Sequence, residues 1–150
     1  MTTSTTVAFH FNAPSKLAYA CKLARKLQRM DIPLVVLGEP AMVAQLDEAL
    51  WSFGGASQFL AHCRGDAAPQ VLERSPTVLL SELADNLPHT RVLLNLGSEM
   101  PADVTRFERV IEVVSADDEQ DRQQARVRWR AYAAMGYAIE RRDLVMKSED

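Results

Sequence analysis

Short apolar runs that alternate with segments of helical periodicity constrain the fold of this chain more than any other feature. Residues 5–11 form a β-branched and aromatic run, and after Pro14 the apolar residues recur at helical spacing. The pattern repeats at residues 32–37, an apolar run closed by Gly38, and in the amphipathic segment that Pro40 opens. Further short apolar runs cover residues 59–61, Thr77–Leu80, 91–96 and 109–114. Strands that are apolar on both faces and alternate with helices predict an α/β fold, with a mostly parallel sheet covered by helices.

The last helix is the most clearly marked element, and we expect it at about residues 116–135. Its first turns are crowded with acidic residues, which are Asp117, Asp118, Glu119 and Asp121. Negative charge at this end complements the helix dipole. Gly136 supplies the left-handed residue that ends many helices, and we expect Tyr137 to fold back against the last turn.

The composition is that of an ordinary globular protein, with 47% hydrophobic and 25% charged residues in a chain of 150. A chain of this length buries roughly two-thirds of its unfolded surface, so we expect one domain over residues 1–150.

No apolar run approaches the ~20 residues that cross a bilayer, and the opening MTTSTTVAFHF has neither a basic leader nor an apolar signal core. We therefore expect a cytoplasmic protein without a membrane partner. Cys21 and Cys63 lack metal-ligand or redox spacing and are expected to be reduced.

Motifs for catalysis and for nucleotide binding are missing from the sequence. Neither GxGxxG nor GxxxxGK[ST] occurs, and Gly54 and Gly55 follow a helical segment instead of opening one. The histidines have no partner at metal-ligand spacing, and the adjacent Asp47 and Glu48 diverge by about 100° on a helix. The sequence therefore predicts no catalytic residue, no metal and no cofactor, and the chain is not expected to be an enzyme.

A group of arginines around a tryptophan stands out in a chain whose formal net charge is −3. Arg126, Trp129 and Arg130 have the spacing i, i+3, i+4, and Arg122 lies one turn earlier on the same side. Guanidinium groups beside an indole suit a peptide that offers both a carboxylate and an aromatic ring. A pI near 5.6 argues against wrapping of a polyanion by the whole surface, although it leaves room for a local basic patch.

The sequence leaves open which face of the last helix packs on the sheet. One apolar face is formed by Val127, Ala131, Ala134 and Met135. We expect this face to be the buried one. Ala125 and Tyr132 extend the Trp129 side into a second apolar strip, which is the alternative. On that alternative the indole belongs to the core and the arginines form a solvated flank.

Three segments of the chain, in this order, resemble the chi subunit family of the bacterial DNA polymerase III clamp-loader complex. They are QLDEALWSFGGASQFLAH at residues 45–62, VIEVVSADDEQ at residues 110–120 and RVRWRAYAAMGY at residues 126–137. The resemblance implies a nucleotide-binding-like, or Rossmann-like, topology without a phosphate-binding loop. It also implies a non-enzymatic adaptor in DNA replication that meets DNA only indirectly.

The first partner that the resemblance implies is single-stranded-DNA-binding protein. The acidic C-terminal tail of that protein ends in a proline and a phenylalanine that bears the terminal carboxylate. Matched by position to the tail-binding helix of the family, Arg126 would hold the carboxylate, with Trp129 and Arg130 at the aromatic and basic positions beside it. Leu96 matches an apolar wall of the same pocket.

The second implied partner is the psi subunit, which connects chi to the clamp loader. The resemblance assigns the psi-subunit interface to Trp51, at the end of LDEALW, and to Phe59. From the sequence alone, Trp51 suits an interface anchor or a core residue equally well. The alternative function is that of a small nucleotide-binding or nucleic-acid-binding α/β protein, which would bind a mononucleotide or bare oligonucleotide directly.

Overall fold

The chain folds around one open sheet of parallel strands. The computed structural model describes residues 5–52, 62–64, 67–68, 70–71, 75–83 and 87–144. In chain order, the elements of this part are β1 (Thr6–Ala13), α1 (Lys16–Arg29), β2 (Leu34–Leu37), α2 (Pro40–Ser52), β3 (His62–Arg64), β4 (Thr77–Leu80), β5 (Val92–Asn95), a 3-10 helix (Val104–Arg106), β6 (Arg109–Ser115), α3 (Glu119–Ala134) and β7 (Ala138–Asp143). The seven strands lie in the order β3-β4-β2-β5-β6-β1-β7, and every pairing between them is parallel. The prediction of an α/β fold with a parallel sheet covered by helices is confirmed.

Helices cover both faces of this sheet. α1 and α2 share one apolar cluster with strand residues such as Val36 and Leu94. α3 lies on the other face of the sheet, in a second apolar cluster that contains Val35 and Leu93, the residues that directly precede Val36 and Leu94 in the chain. Because successive strand residues point to opposite faces, a strand covered on both sides must be apolar throughout. This explains the unbroken apolar runs of the sequence.

The helix ends follow capping chemistry. Ser15 caps α1, and its side chain accepts the backbone N–H three residues further on at 3.1 Å. Pro14 therefore precedes the cap instead of occupying the first turn. At the end of α3, Gly136 has φ 88°, and the N–H of Tyr137 donates to the carbonyl of Tyr132 at 3.2 Å. The predicted left-handed terminus with Tyr137 folded back is confirmed.

α3 begins three residues later than the sequence predicts. The N–H of Ala116 donates to the carbonyl of Ala13 at 2.8 Å, so this residue still belongs to the end of the β1–β6 pairing. Asp118 then caps the helix, and its side chain accepts the N–H of Asp121 at 3.2 Å. Asp118 thus serves as the cap, while Glu119 and Asp121 lie in the first turn at the positive end of the helix dipole.

The buried face of α3 is not the one first expected. Val127 and Met135 are 58% and 65% exposed, so the expectation that their side of the helix packs on the sheet is wrong. The alternative strip is the correct one, because Ala125 and Tyr132 are buried in the second cluster. Arg128 shares this buried face, which the hydrophobic pattern alone does not indicate.

Two further differences concern strands. β7 has no counterpart among the predicted strands, and it pairs with β1 at the edge of the sheet. Its residues are all exposed or partly buried and include two arginines, a glutamate and an aspartate, which is typical of an edge strand rather than a buried one. The strand expected at residues 59–61 lies outside the described residues, and β3 directly follows that range.

None of the helices in the described part of the chain has both the length and the apolar character that a bilayer crossing requires.

Candidate functional site

A cleft of about 490 Å³ opens beside α3 at the carboxyl ends of β1 and β6. Its apolar lining consists of Phe9, Phe11, Val114, Ala125 and Trp129, and its cationic lining consists of Arg122, Arg126, Arg130 and Arg141. Asn12 and Ser115 complete the described lining residues. The carboxyl ends of parallel strands are where open α/β sheets usually bind ligands.

The aromatic part of the cleft joins the protein core. The ring centroids of Phe9 and Trp129 lie 5.0 Å apart, with the planes inclined by 51°. Phe9 also meets Tyr132 edge-on, with the centroids 6.0 Å apart. Phe9 and Tyr132 are buried, whereas Trp129 is only partly buried and borders the cleft. The indole therefore packs on the core with one part of its surface and faces the cleft with another.

The charged part of the cleft is cationic and accessible. Arg126 is 56% exposed, and its Nη1 lies 3.7 Å from a carboxylate oxygen of Glu119. Arg122 contacts the same glutamate at 4.0 Å. Both contacts are solvent-exposed and are worth about 1 kcal/mol or less, so an incoming carboxylate can replace them at little cost. The guanidinium of Arg141 lies 4.8 Å from the ring centroid of Phe11. The described lining carries four arginines and no carboxylate.

A buried polar network fixes α3 on the sheet behind this cleft. Glu112 of β6 accepts the Nε–H of Arg128 at 2.9 Å and the hydroxyl of Tyr132 at 2.7 Å. Asn95 of β5 donates to both carboxylate oxygens, at 3.0 and 3.1 Å. Nη1 of Arg128 also donates to the carbonyl of Ser98 at 2.8 Å. Every one of these groups donates toward Glu112 or the adjacent backbone, which is the arrangement that an ionised carboxylate requires.

Burial perturbs the titration of this network. It raises the pKa of Glu112, and the Arg128 guanidinium opposes that shift together with the hydrogen bonds from Tyr132 and Asn95. Burial and the neighbouring Glu112 carboxylate also raise the pKa of Tyr132, so its hydroxyl remains a donor at neutral pH. Because removal of one partner would leave a buried charge uncompensated, the network fixes the rotation of α3 about its axis. That rotation places Trp129, Arg126 and Arg130 at the cleft.

The family to which this fold and cleft belong follows from comparison with known proteins. Residues 4–140 match the family model described as DNA polymerase III chi subunit, HolC. The chain belongs to this family. A relative from Pseudomonas aeruginosa, named DNA polymerase III subunit chi, is 33% identical over 127 residues, which cover 84% of each chain. The resemblance found in the sequence is thus confirmed at the level of the chi family.

The structure brings three of the four residues expected at the tail site of this chi-family chain into one cleft. Arg126, Trp129 and Arg130 all line it. Leu96 does not, because it is buried in the cluster on the opposite face of the sheet and borders a separate cleft of about 310 Å³. Ser115 borders both clefts. The role of Leu96 as a wall of the tail pocket remains a prediction that this geometry does not favour.

Two further arginines of the cleft were not singled out as binding residues. Arg122 was placed on the correct side of the helix, and the sequence could have indicated its participation. Arg141 lies in β7, which was not predicted, and it reaches the cleft because β7 pairs with β1. No signal in the sequence places Arg141 beside Arg126.

Trp51 lies on another part of the molecule, at the end of α2. It is 60% exposed, which resolves the choice between an interface and a core position in favour of the surface. Its indole lies edge-on to the His62 imidazole, with the centroids 5.3 Å apart, and Nε2 of His62 lies 3.0 Å from an oxygen of Asp47. Phe59 lies outside the described residues.

The described residues contain no group of three or more histidine, cysteine, aspartate or glutamate side chains arranged to hold a metal ion. Cys21 and Cys63 are both buried and free.

Proposed function

We propose that this chi-family chain serves DNA replication in the cytoplasm as a non-catalytic subunit associated with DNA polymerase III. In this role, the cleft beside α3 binds the acidic C-terminal tail of single-stranded-DNA-binding protein. The observation that carries the proposal is the convergence of four arginines and a partly buried tryptophan on one cleft in a chain of net charge −3. Membership of the chi family supports the assignment to replication.

The chemistry of the cleft matches a tail that ends in proline and phenylalanine with a free carboxylate. Arg126 can donate charge-assisted hydrogen bonds to the terminal carboxylate, while the phenylalanine ring packs against Trp129 and Phe11. Arg122, Arg130 and Arg141 surround this position with positive charge, which attracts the acidic residues that precede the proline. A volume of about 490 Å³ lies within the range of about 300–1,000 Å³ that is usual for pockets of this kind.

Calorimetric titration with a synthetic acidic peptide ending in Pro-Phe-carboxylate tests this proposal. We expect a dissociation constant on the order of micromolar that weakens as salt is added, because the arginines are partly exposed. Replacement of Arg126 with alanine should cost about 1.5–3 kcal/mol, the usual value of a hydrogen bond to a charged group.

Arg91→Ala provides the matched control, because Arg91 precedes β5 at the amino ends of the strands and pairs with Glu108 on an exposed surface. The Arg91→Ala substitution should leave the affinity for the Pro-Phe-carboxylate peptide unchanged. Amidation of the peptide carboxylate should cost about as much as Arg126→Ala. Equal affinities of the free and amidated peptides would contradict the carboxylate contact, even if Arg126→Ala weakens binding.

We further propose that Trp51 and Phe59 contact the psi subunit and thereby link the tail site to the clamp loader. The exposed indole of Trp51 supports this, since a large exposed aromatic is a typical interface anchor.

Trp51→Ala should weaken the binding of purified psi by about 2 kcal/mol or more. The tail peptide should bind this variant normally. Val127→Ala, which removes an equally exposed apolar side chain on α3, should affect neither titration, and a similar loss of psi binding in both variants would remove the assignment to Trp51.

A further inference from the structure

α1 carries a row of positive charge that the proposed tail site does not use. The helix contains five cationic residues and no acidic residue. One of them, Lys16, is the first residue of the helix and pairs with Asp121 at 2.7 Å. The other four are Lys22, Arg25, Lys26 and Arg29. We call these four residues the α1 basic face.

The spacing of the α1 basic face places its residues on one side of the helix. They follow the pattern i, i+3, i+4, i+7, and the residues that α1 buries against the sheet lie on the opposite side. Lys22, Lys26 and Arg29 are exposed, and Arg25 is partly exposed. The row is about 10 Å long at 1.5 Å per residue, with steps of about 6 Å between Lys22 and Lys26 and between Arg25 and Arg29.

The electrostatic effect of this region reaches into the sheet. His10 of β1 lies 2.6 Å from the Tyr19 hydroxyl of α1. Its pKa is lowered to about 4, first by burial and then by the charges of Arg142, Arg109 and Lys26. Arg142, which lies in the edge strand β7, therefore adds to the positive field beside α1. Glu140 of the same strand is paired with Arg109 at 3.1 Å and reduces that field only locally.

We propose that the α1 basic face binds the phosphate groups of single-stranded DNA. Its cations form one continuous row of positive charge, and no aromatic side chain lies among the four residues, so the contact would be to the backbone and independent of base sequence. A membrane surface does not fit, because the apolar side of α1 is buried against the sheet and cannot insert. An acidic polypeptide is the competing partner, and the family match to a DNA polymerase subunit favours DNA.

This contact is distinct from the tail cleft. The α1 basic face and the cleft lie on opposite faces of the sheet, because α1 and α3 pack in different apolar clusters. Ion pairs that the exposed side chains make within the protein are worth about 1 kcal/mol or less, so they can be exchanged for a phosphate. One chain can therefore bind an acidic tail and a DNA strand at the same time.

Fluorescence anisotropy of a labelled oligothymidylate with the purified chain of 150 residues tests the proposal. The logarithm of the association constant should fall with the logarithm of salt concentration with a slope of about −3, since four phosphate contacts contribute about −0.7 each. The double variant Lys22→Gln/Lys26→Gln should reduce the slope by about 1.4 and weaken binding roughly tenfold or more at about 50 mM salt. Glutamine is a good helix former, so α1 should remain intact in this variant.

Arg64→Gln/Arg91→Gln removes the same charge from other exposed positions and should leave both the affinity and the slope close to those of the unmodified chain. The tail peptide should bind the Lys22→Gln/Lys26→Gln variant normally, so failure of the DNA contact and failure of the tail site are separable. The proposal is overturned if the unmodified chain does not retain the oligonucleotide at low salt, or if both double variants lose it equally. It is also overturned if polyglutamate binds the α1 basic face and DNA does not.

Discussion

Replacement of Arg128 with alanine should lower the free energy of unfolding by about 3–5 kcal/mol, the usual cost of breaking a buried ion pair. Arg128 and Glu112 are 2% and 0% exposed, so bulk solvent does not reach the carboxylate in the folded chain. The loss comes mainly from the Glu112 carboxylate, which would remain buried with only Tyr132 and Asn95 as partners. Urea unfolding followed by circular dichroism measures the effect.

Arg130→Ala is the matched control, because Arg130 lies on the same helix but is exposed. Its stability should remain within about 0.5 kcal/mol of that of the unmodified chain. Addition of Glu112→Gln to Arg128→Ala should restore part of the stability, since the amide carries no charge and keeps an acceptor for Tyr132. An Arg128→Ala variant as stable as the Arg130→Ala control would contradict the buried ion pair.

The pH dependence of the Arg128→Ala variant separates the loss of the ion pair from a loss of packing. Burial raises the pKa of Glu112, and the substitution removes Arg128, the largest opposing influence. The folded variant therefore holds a proton on Glu112 more tightly than the unfolded chain does. Stability from this group is complete below the ordinary pKa of 4.5 and is lost as the pH rises through the raised value. The difference in stability from the unmodified chain should shrink as the pH falls from neutrality toward 4.5.

Replacement of Phe9 with alanine should also be severe, with a loss of about 3–5 kcal/mol in the free energy of unfolding. The ring is 2% exposed and supports both Trp129 and Tyr132. A cavity at this point would also allow the Trp129 indole to move inward, so the tail peptide should bind less tightly to the fraction that folds. Chemical unfolding and peptide titration on the same sample check both effects.

Phe9→Leu serves as the conservative comparison and should cost much less, because a branched apolar side chain fills most of the volume. It should retain peptide binding better than the alanine variant does. If Phe9→Ala lowers stability without any change in peptide affinity, the indole position does not depend on Phe9 and the proposed coupling of core and cleft is wrong.

Much of the fold could be predicted because buried parallel strands are apolar throughout. Five of the seven strands in the described part begin within two residues of a predicted run, as at Leu34–Leu37 and Thr77–Leu80. β7 was missed for the opposite reason, since only its β1-facing edge is paired and its side chains are largely polar. β3 directly follows a predicted run whose residues are not described.

The candidate site was predicted less completely, because hydrophobicity does not report a buried charge. Arg128 was not singled out from the sequence, although it lies between Ala125 and Tyr132 on the buried face. A signal was present in the sequence: Glu112 interrupts the apolar run of β6, and a carboxylate in a strand covered on both faces requires a cationic partner. If Arg128 is taken as that partner, its side of α3 must face β6, and this fixes how the helix is rotated about its own axis. The place of Arg141, by contrast, depends on a pairing between distant parts of the chain.

The position of β1 between β6 and β7 also governs how the molecule can be made. During synthesis β1 leaves the ribosome before the other described strands, yet its two neighbours in the sheet, β6 and β7, are translated only after β2 to β5. Its Phe9 and Phe11 therefore stay without their final partners until the carboxy-terminal part of the chain emerges, a period in which a chaperone has the opportunity to protect them. A chain whose synthesis stops before β6 would lack β6, α3 and β7 and with them most of the cleft lining, and β1 would have no strand to pair with.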